Sequence, residues 1–284
     1  HGADDKFQLQ SGSPARDAGD PTTLYAGEPN NGGGRVNLGY DGDAATTLAS
    51  ASRTLQVTSP AGLSKLTVGQ ATAVNVQSFG LVNAQPVLLL NAGGGALASA
   101  TQGNWSADAL PSHAGATAST NTTLPSNTTL APNSVFQTFE SLNYGSGVGA
   151  ALSYNLPVAD GSYTLRLYFD ETQTAAGNRL FNIVVNGQTM QANVDVAALA
   201  GGQNKALEID LPVTIANGQG LNLSLVTQDP YYAAFLNGLE LDRTATGAAS
   251  PTVDLAVSYD GGTTWAPIAT NVALNRYGQG QFMW

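Results

Sequence analysis

The chain has 284 residues, of which 11% are charged and 42% hydrophobic, with a formal net charge of -10 and no cysteine. The missing cysteine excludes disulfides, thiolate metal centres and cysteine nucleophiles, and the negative field disfavours nucleic acid and anionic membrane surfaces as partners. No apolar run reaches the length of a membrane span, so no membrane insertion is expected, while 33 Gly and 13 Pro point to short strands joined by many turns.

Residues 1–51 have no helical period. Turn chemistry is dense there, at Ser13-Pro14, Gly19-Asp20-Pro21, the run from Glu28 to Gly34, and Asp41-Gly42-Asp43. So short and polar a stretch cannot enclose a core and must lean on a neighbour. Gly12 through Pro21, followed by Asn31 through Leu38, resembles the last coil of secreted right-handed parallel β-helix proteins. The resemblance implies a loop-rich β segment, either a terminal remnant or a linker.

Residues 52–83 read as two strands of period two. Thr54-Leu55-Gln56-Val57 precedes a break at Ser59-Pro60, and Ala71 through Val76 places Val74 and Val76 on one face. The expected continuation of such a module is absent at residue 84 and reappears at 249–284. There Thr252 through Ser258 alternates, Asp260-Gly261-Gly262 suits a hairpin turn, and Trp265 and Trp284 fall in strand patterns, where packing is expected. The two pieces resemble the halves of a bacterial Ig-like module. They imply one small split sandwich with a second domain inserted at a surface loop, which is tolerated because domain termini often lie close together.

The insert, 84–248, carries the most information. Val87 through Leu90 is a fully apolar strand ending in Asn91-Ala92-Gly93-Gly94. Residues 98–134, rich in Ala, Ser, Thr and Asn, read as a long loop containing Trp105, and Val135 through Phe139 as a strand. Tyr163, Leu165, Leu167 and Phe169 share one face of the next strand. Phe181 through Val185 meets a turn at Asn186-Gly187, and the runs 207–211, 221–225 and 236–241 follow. Regularly spaced short strands with turns between them predict a β-sandwich.

The ordered series of Asn91-Ala92-Gly93-Gly94, Asp160-Gly161-Ser162-Tyr163 with its strand, Gly177 through Gly187, and Asn237-Gly238-Leu239-Glu240-Leu241 resembles malectin-like carbohydrate-binding domains. The fold expected is therefore all-β: a malectin-like, jelly-roll type β-sandwich at 84–248, inserted into a smaller Ig-like sandwich at 52–83 and 249–284, behind residues 1–51. Sugars present apolar C–H faces and dense hydroxyls, so their sites pair aromatic platforms with short polar groups. The resemblance puts such loops after Asn91, around Tyr144, and at Asp229-Pro230-Tyr231-Tyr232. Tyr144, Asp229, Tyr231, Tyr232 and Trp105 are the candidate ligand contacts, with an oligo- or polysaccharide as partner.

No catalytic set emerges. Besides His1 the only histidine is His113, in a small-residue loop, and no nucleophile-elbow motif flanks a strand. The pair Asp170-Glu171 is expected to end a strand in solvent. No cofactor is implied with certainty. Structural calcium is a candidate, with Asp17, Asp20, Asp41 and Asp43, or Asp170-Glu171, as oxygen donors. The sequence thus reads as a non-catalytic binding portion of a larger multidomain chain, extracellular or on a bacterial cell surface. The competing readings are a ligand-free stalk or adhesin segment, and an accessory part of a polysaccharide-active β-helix enzyme.

Overall fold

The computed structural model describes residues 7–20, 23–29, 35–51, 53–60, 64–82, 86–99, 102–109, 116–127, 129, 131–244 and 251–284. Eighteen strands are described: β1 (Thr54–Ser59), β2 (Ala73–Phe79), β3 (Pro86–Asn91), β4 (Leu97–Ser99), β5 (Gly103–Ala107), β6 (Ala116–Thr120), β7 (Thr138–Leu142), β8 (Ala151–Leu156) and β9 (Gly161–Asp170), then β10 (Phe181–Val185), β11 (Gln188–Val194), β12 (Ala206–Ile215), β13 (Leu221–Thr227), β14 (Phe235–Leu236), β15 (Gly238–Arg243), β16 (Thr252–Val257), β17 (Ala266–Ala273) and β18 (Gln279–Met283). One short helix, α1 (Val196–Ala200), is capped by the Asp195 side chain and closed by Gly201 in the left-handed region.

The main body is a sandwich. One sheet has the order β12-β9-β15-β3-β5-β4 and the other β11-β10-β13-β8. Alternation in β9 sends Tyr163, Leu165, Leu167 and Phe169 into a core they share with Phe181 and Ile183 of β10 and Leu221, Leu223 and Leu225 of β13. The β9–β12 ladder runs from Gly161↔Ile215 to Asp170↔Ala206 without a bulge. A one-residue slip would turn all these apolar side chains to the wrong face, so burial fixes the register. Asn186 and Gly187 both take positive φ, the geometry a two-residue hairpin between β10 and β11 needs.

Several expectations are corrected. Residues 98–134 are not one long loop, since β5 and β6 lie within them. Their Ala/Ser/Thr composition hides the period. Val135 and Phe136 belong to a 3-10 helix, Asn133–Gln137, with Pro132 at its cap, and the strand starts only at Thr138. Trp265 and Trp284 do not pack. They lie just outside the strands, before β17 and after β18, and are 64% and 40% exposed.

A second, smaller core joins β2 to the β16–β17 hairpin, through Val74, Val76, Val253, Leu255 and Leu274. β18 pairs with β2, bringing the strands before and after the main sandwich into one sheet. The described residues from 7 to 51 form turns and bends around buried Glu28. One Glu28 carboxylate oxygen accepts the backbone N–H groups of Asn37 (2.7 Å) and Asp43 (3.0 Å). This segment leans on the sandwich through Ala26, which joins the main core, and Tyr25, whose hydroxyl donates to the Pro86 carbonyl.

Candidate functional site

Two loops at one end of the sandwich build the site. The first leaves β7 at Asn143, whose carbonyl accepts the N–H (3.1 Å) and the hydroxyl (2.6 Å) of Ser146. Positive φ at Gly145, Gly147 and Gly149 makes this a tight surface excursion that thrusts Tyr144 outward, 71% exposed. The second follows β13. Asp229 accepts the N–H groups of Tyr231 (2.8 Å) and Tyr232 (2.7 Å) on one carboxylate oxygen, the fold of an Asx turn. The Gly145 N–H then donates to the Tyr231 carbonyl at 2.7 Å and ties the two loops together.

Tyr144 stacks on Tyr231 with ring centroids 5.9 Å apart and planes 21° from parallel, and meets Tyr232 edge-on at 5.4 Å. Three of the five candidate ligand contacts thus form one aromatic cluster. Asp229 shapes the loop beneath it, a role that occupies one of its two oxygens. Trp105 is a correction. It lies in β5, fully buried, edge-on to Tyr168 at 5.6 Å, with its indole N–H donated to the Gln102 carbonyl. A side chain so enclosed is a core element and touches no ligand.

Beside the tyrosines opens a cleft of about 220 Å³, bordered by Thr117, Ser119, Ser141, Asn143, Arg179 and Tyr232. Thr117 and Ser141 face each other across the β6–β7 pair, and the Thr117 hydroxyl donates to Asn143 Oδ1 at 3.0 Å. Arg179, which no sequence motif marks as a site residue, also borders the cleft. Its guanidinium carbon lies 5.7 Å from the Tyr232 ring centroid and 4.7 Å from that of Phe235. One guanidinium nitrogen meets Glu171 Oε2 at 3.1 Å and another donates to Gln173 Oε1 at 2.8 Å. Glu171 Oε1 in turn accepts the N–H groups of Gln173 and Thr174. Burial lowers the Arg179 pKa, and the negative charges of Glu171 and Asp229 oppose that shift.

Asp170 and Glu171 do not end their strand in solvent; both are buried. Neither oxygen of Asp170 has a partner among the described residues. Burial, and secondarily the Glu171 charge, push its pKa up to about 6. Their burial was hidden because Arg179, the group that compensates Glu171, is a neighbour only in three dimensions. Among the described residues no three of His, Cys, Asp and Glu converge as metal donors. His113 lies outside the described residues.

The fold is a two-sheet β-sandwich with an aromatic cluster on its end loops beside a hydroxyl-bordered cleft. The family model of the Malectin domain matches residues 86–229, just over half of the chain, and the chain belongs to that family. It is 35% identical over 95 residues to Receptor-like protein 4 of Arabidopsis thaliana, an alignment covering 32% of this chain and 15% of that protein. Among solved structures it is similar to a complex of the plant peptide RALF23 with FER and LLG2, at a TM-score of 0.50 and 23% identity, covering 67% of this chain and 55% of the other. The ANX2 ectodomain of Arabidopsis thaliana gives a TM-score of 0.48 at 24% identity, covering 62% and 52%. The chain thus spans about half the length of these solved chains and under a fifth of that relative.

Proposed function

We propose that the cleft beside Tyr144, Tyr231 and Tyr232 binds a carbohydrate, and that the chain is a non-catalytic recognition module of a secreted or cell-surface protein. The observation that carries this reading is the aromatic cluster itself. Two tyrosines that are mostly exposed, Tyr144 at 71% and Tyr231 at 58%, stack on each other at the mouth of a cleft edged by hydroxyls and an amide. Exposed aromatic area is costly unless something covers it, and sugar C–H faces suit a tyrosine surface while hydroxyls suit Ser, Thr and Asn. The cleft is smaller than the roughly 300–1,000 Å³ of drug-sized pockets, which suits one sugar ring or the edge of a chain. Arg179 is matched by Glu171, so a neutral glycan fits better than a strongly charged one.

The wider setting belongs to the same proposal. The flanking residues belong, in this reading, to a larger extracellular chain; the relatives found are plant receptor-like proteins and lend neither the β-helix and Ig-like resemblances nor a bacterial source any support. A polypeptide ligand is the second reading, favoured by one solved neighbour being a complex with a peptide. A glycan array on the whole chain tests the first. Retention of neutral mono- or oligosaccharides supports it, and silence across the array with the protein folded favours the polypeptide.

A further inference from the structure

The outer face of the larger sheet holds an unusual concentration of buried charge. Strand alternation places Glu240 and Asp242 of β15 on that face, beside Arg166 of β9 and across from Glu208 and Asp210 of β12. Glu240 and Asp242 are both fully buried. Arg166 pairs with Asp242 at 3.0 Å and also with Asp210. The lid is supplied from elsewhere in the chain. The β17–β18 connection lays Arg276 and Tyr277 over the patch, with the Arg276 guanidinium donating to Glu240 Oε2 at 2.8 Å and to the Tyr168 hydroxyl at 3.0 Å. Gln279 completes the contact by accepting the Gly103 N–H at 3.0 Å and donating to the Ser99 carbonyl at 3.1 Å.

Besides Arg276 Nε and Nη1, which donate no hydrogen bond, two carboxylate oxygens in this patch accept none if every carboxyl is ionised: Glu240 Oε1, which has Arg166 Nε at 3.9 Å, and Asp242 Oδ1. They belong to residues two apart on one strand, hence on one face, and their side chains lie within hydrogen-bonding reach of each other. Two buried carboxylates that close do not both ionise readily, whereas one proton between them satisfies both orphaned atoms. We propose that Glu240 and Asp242 share a single proton beneath Arg276, and that the seating of the C-terminal strands on the sandwich is thereby linked to pH. The titratable and charged groups facing the pair are Arg166 and Tyr168 from β9, Glu208 and Asp210 from β12, and Arg276 and Tyr277 from the lid.

The sign follows from burial. Covered by the lid, Glu240 holds its proton up to about pH 8, because desolvation and the Asp242 charge outweigh Arg276. With the lid lifted, water reaches the pair and its affinity for the proton drops towards the ordinary carboxylate range. Seating therefore takes up a proton at neutral pH and weakens as pH rises, by up to about tenfold per pH unit within the window. Asp43 and Asp170 titrate near 6, so the range above about pH 7 keeps clear of both.

The test is hydrogen exchange of the Gly103 amide and the 274–279 backbone in the whole chain, corrected for the intrinsic rate, between about pH 7 and about pH 9. The wild type should lose protection progressively over this range. Glu240→Gln, which carries its own donor to Asp242 at every pH, should hold protection level. Parallel losses in both proteins, or protection that rises with pH in the wild type, would overturn the proposal. Should the variant not fold, the infrared carboxyl band of the wild type decides. A protonated carboxyl at about pH 7 that disappears by about pH 9 is expected, and its absence at the lower pH rules the shared proton out.

Discussion

The N–H of Gly145 donates to the carbonyl of Tyr231 at 2.7 Å, and through that bond two loops distant in sequence act as one platform. The stacking of Tyr144 on Tyr231 follows from it, since the tie sets how far apart the loops can swing. The rings are thereby partly ordered before any ligand arrives, which lowers the entropy a ligand must overcome.

Asp229 is expected to matter through the loop. Replacing it with Ala removes the acceptor of two backbone N–H groups. The cost should be about 1–2 kcal/mol of stability, as for loss of a cap, and Asp229→Asn should recover most of it by keeping an oxygen in place. Thermal unfolding of the two variants checks this. Equal destabilisation by Asn and Ala would mean the turn does not depend on that oxygen.

Arg179 and Glu171 form a buried pair, so removing one partner strands the other. Arg179→Met should destabilise by about 3–5 kcal/mol, while the double variant Arg179→Met with Glu171→Gln should be markedly milder. Chemical denaturation of the two single variants and the double variant measures the coupling. Additive losses would show that the contact carries no energy of its own.

Asp170 makes stability fall as pH rises. Its folded pKa, about 6, lies above the ordinary value of 3.8. A raised pKa means the folded chain binds the proton more tightly, so the contribution is complete below about 3.8 and is lost as pH rises through about 6. Asp170→Asn keeps the shape without the charge and should be more stable than the wild type near neutral pH. Melting temperatures across this range are the readout, and a wild type that gains stability as Asp170 ionises would contradict the assignment.

Leu167 sits in the middle of β9, fully buried in the main core. Leu167→Ala should cost about 2–5 kcal/mol by leaving a cavity. A loss well below that range would mean the two sheets close over the gap.

How much of this was legible in the sequence depends on whether a residue's environment is local. The strands of Tyr163, Phe181 and Leu221 announce themselves because their apolar residues alternate and turns such as Asn186-Gly187 bound them. β6, Ala-Thr-Ala-Ser-Thr, has no apolar face to reveal it, and its place is set by pairing with β7. Trp105 looked like a loop aromatic because nothing nearby in sequence shows Tyr168 and Phe136 enclosing it. Trp265 failed the opposite way: it falls in the turn before β17, where its indole N–H donates to the Gly262 carbonyl, and it stays mostly exposed. Tyr144, Tyr231 and Tyr232 were legible as loop residues, whereas Arg179 and Glu171, whose meaning lies in each other, were not.

Sugar binding by the tyrosine platform is tested by calorimetric titration of wild type and Tyr144→Ala with the neutral oligosaccharides an array retains. Tyr144 is mostly exposed, so its removal should leave the fold intact. The wild type should bind saturably and the variant should lose at least about 1 kcal/mol, about fivefold or more in Kd. Unchanged affinity in a folded Tyr144→Ala protein would place the sugar elsewhere and contradict binding at the tyrosines.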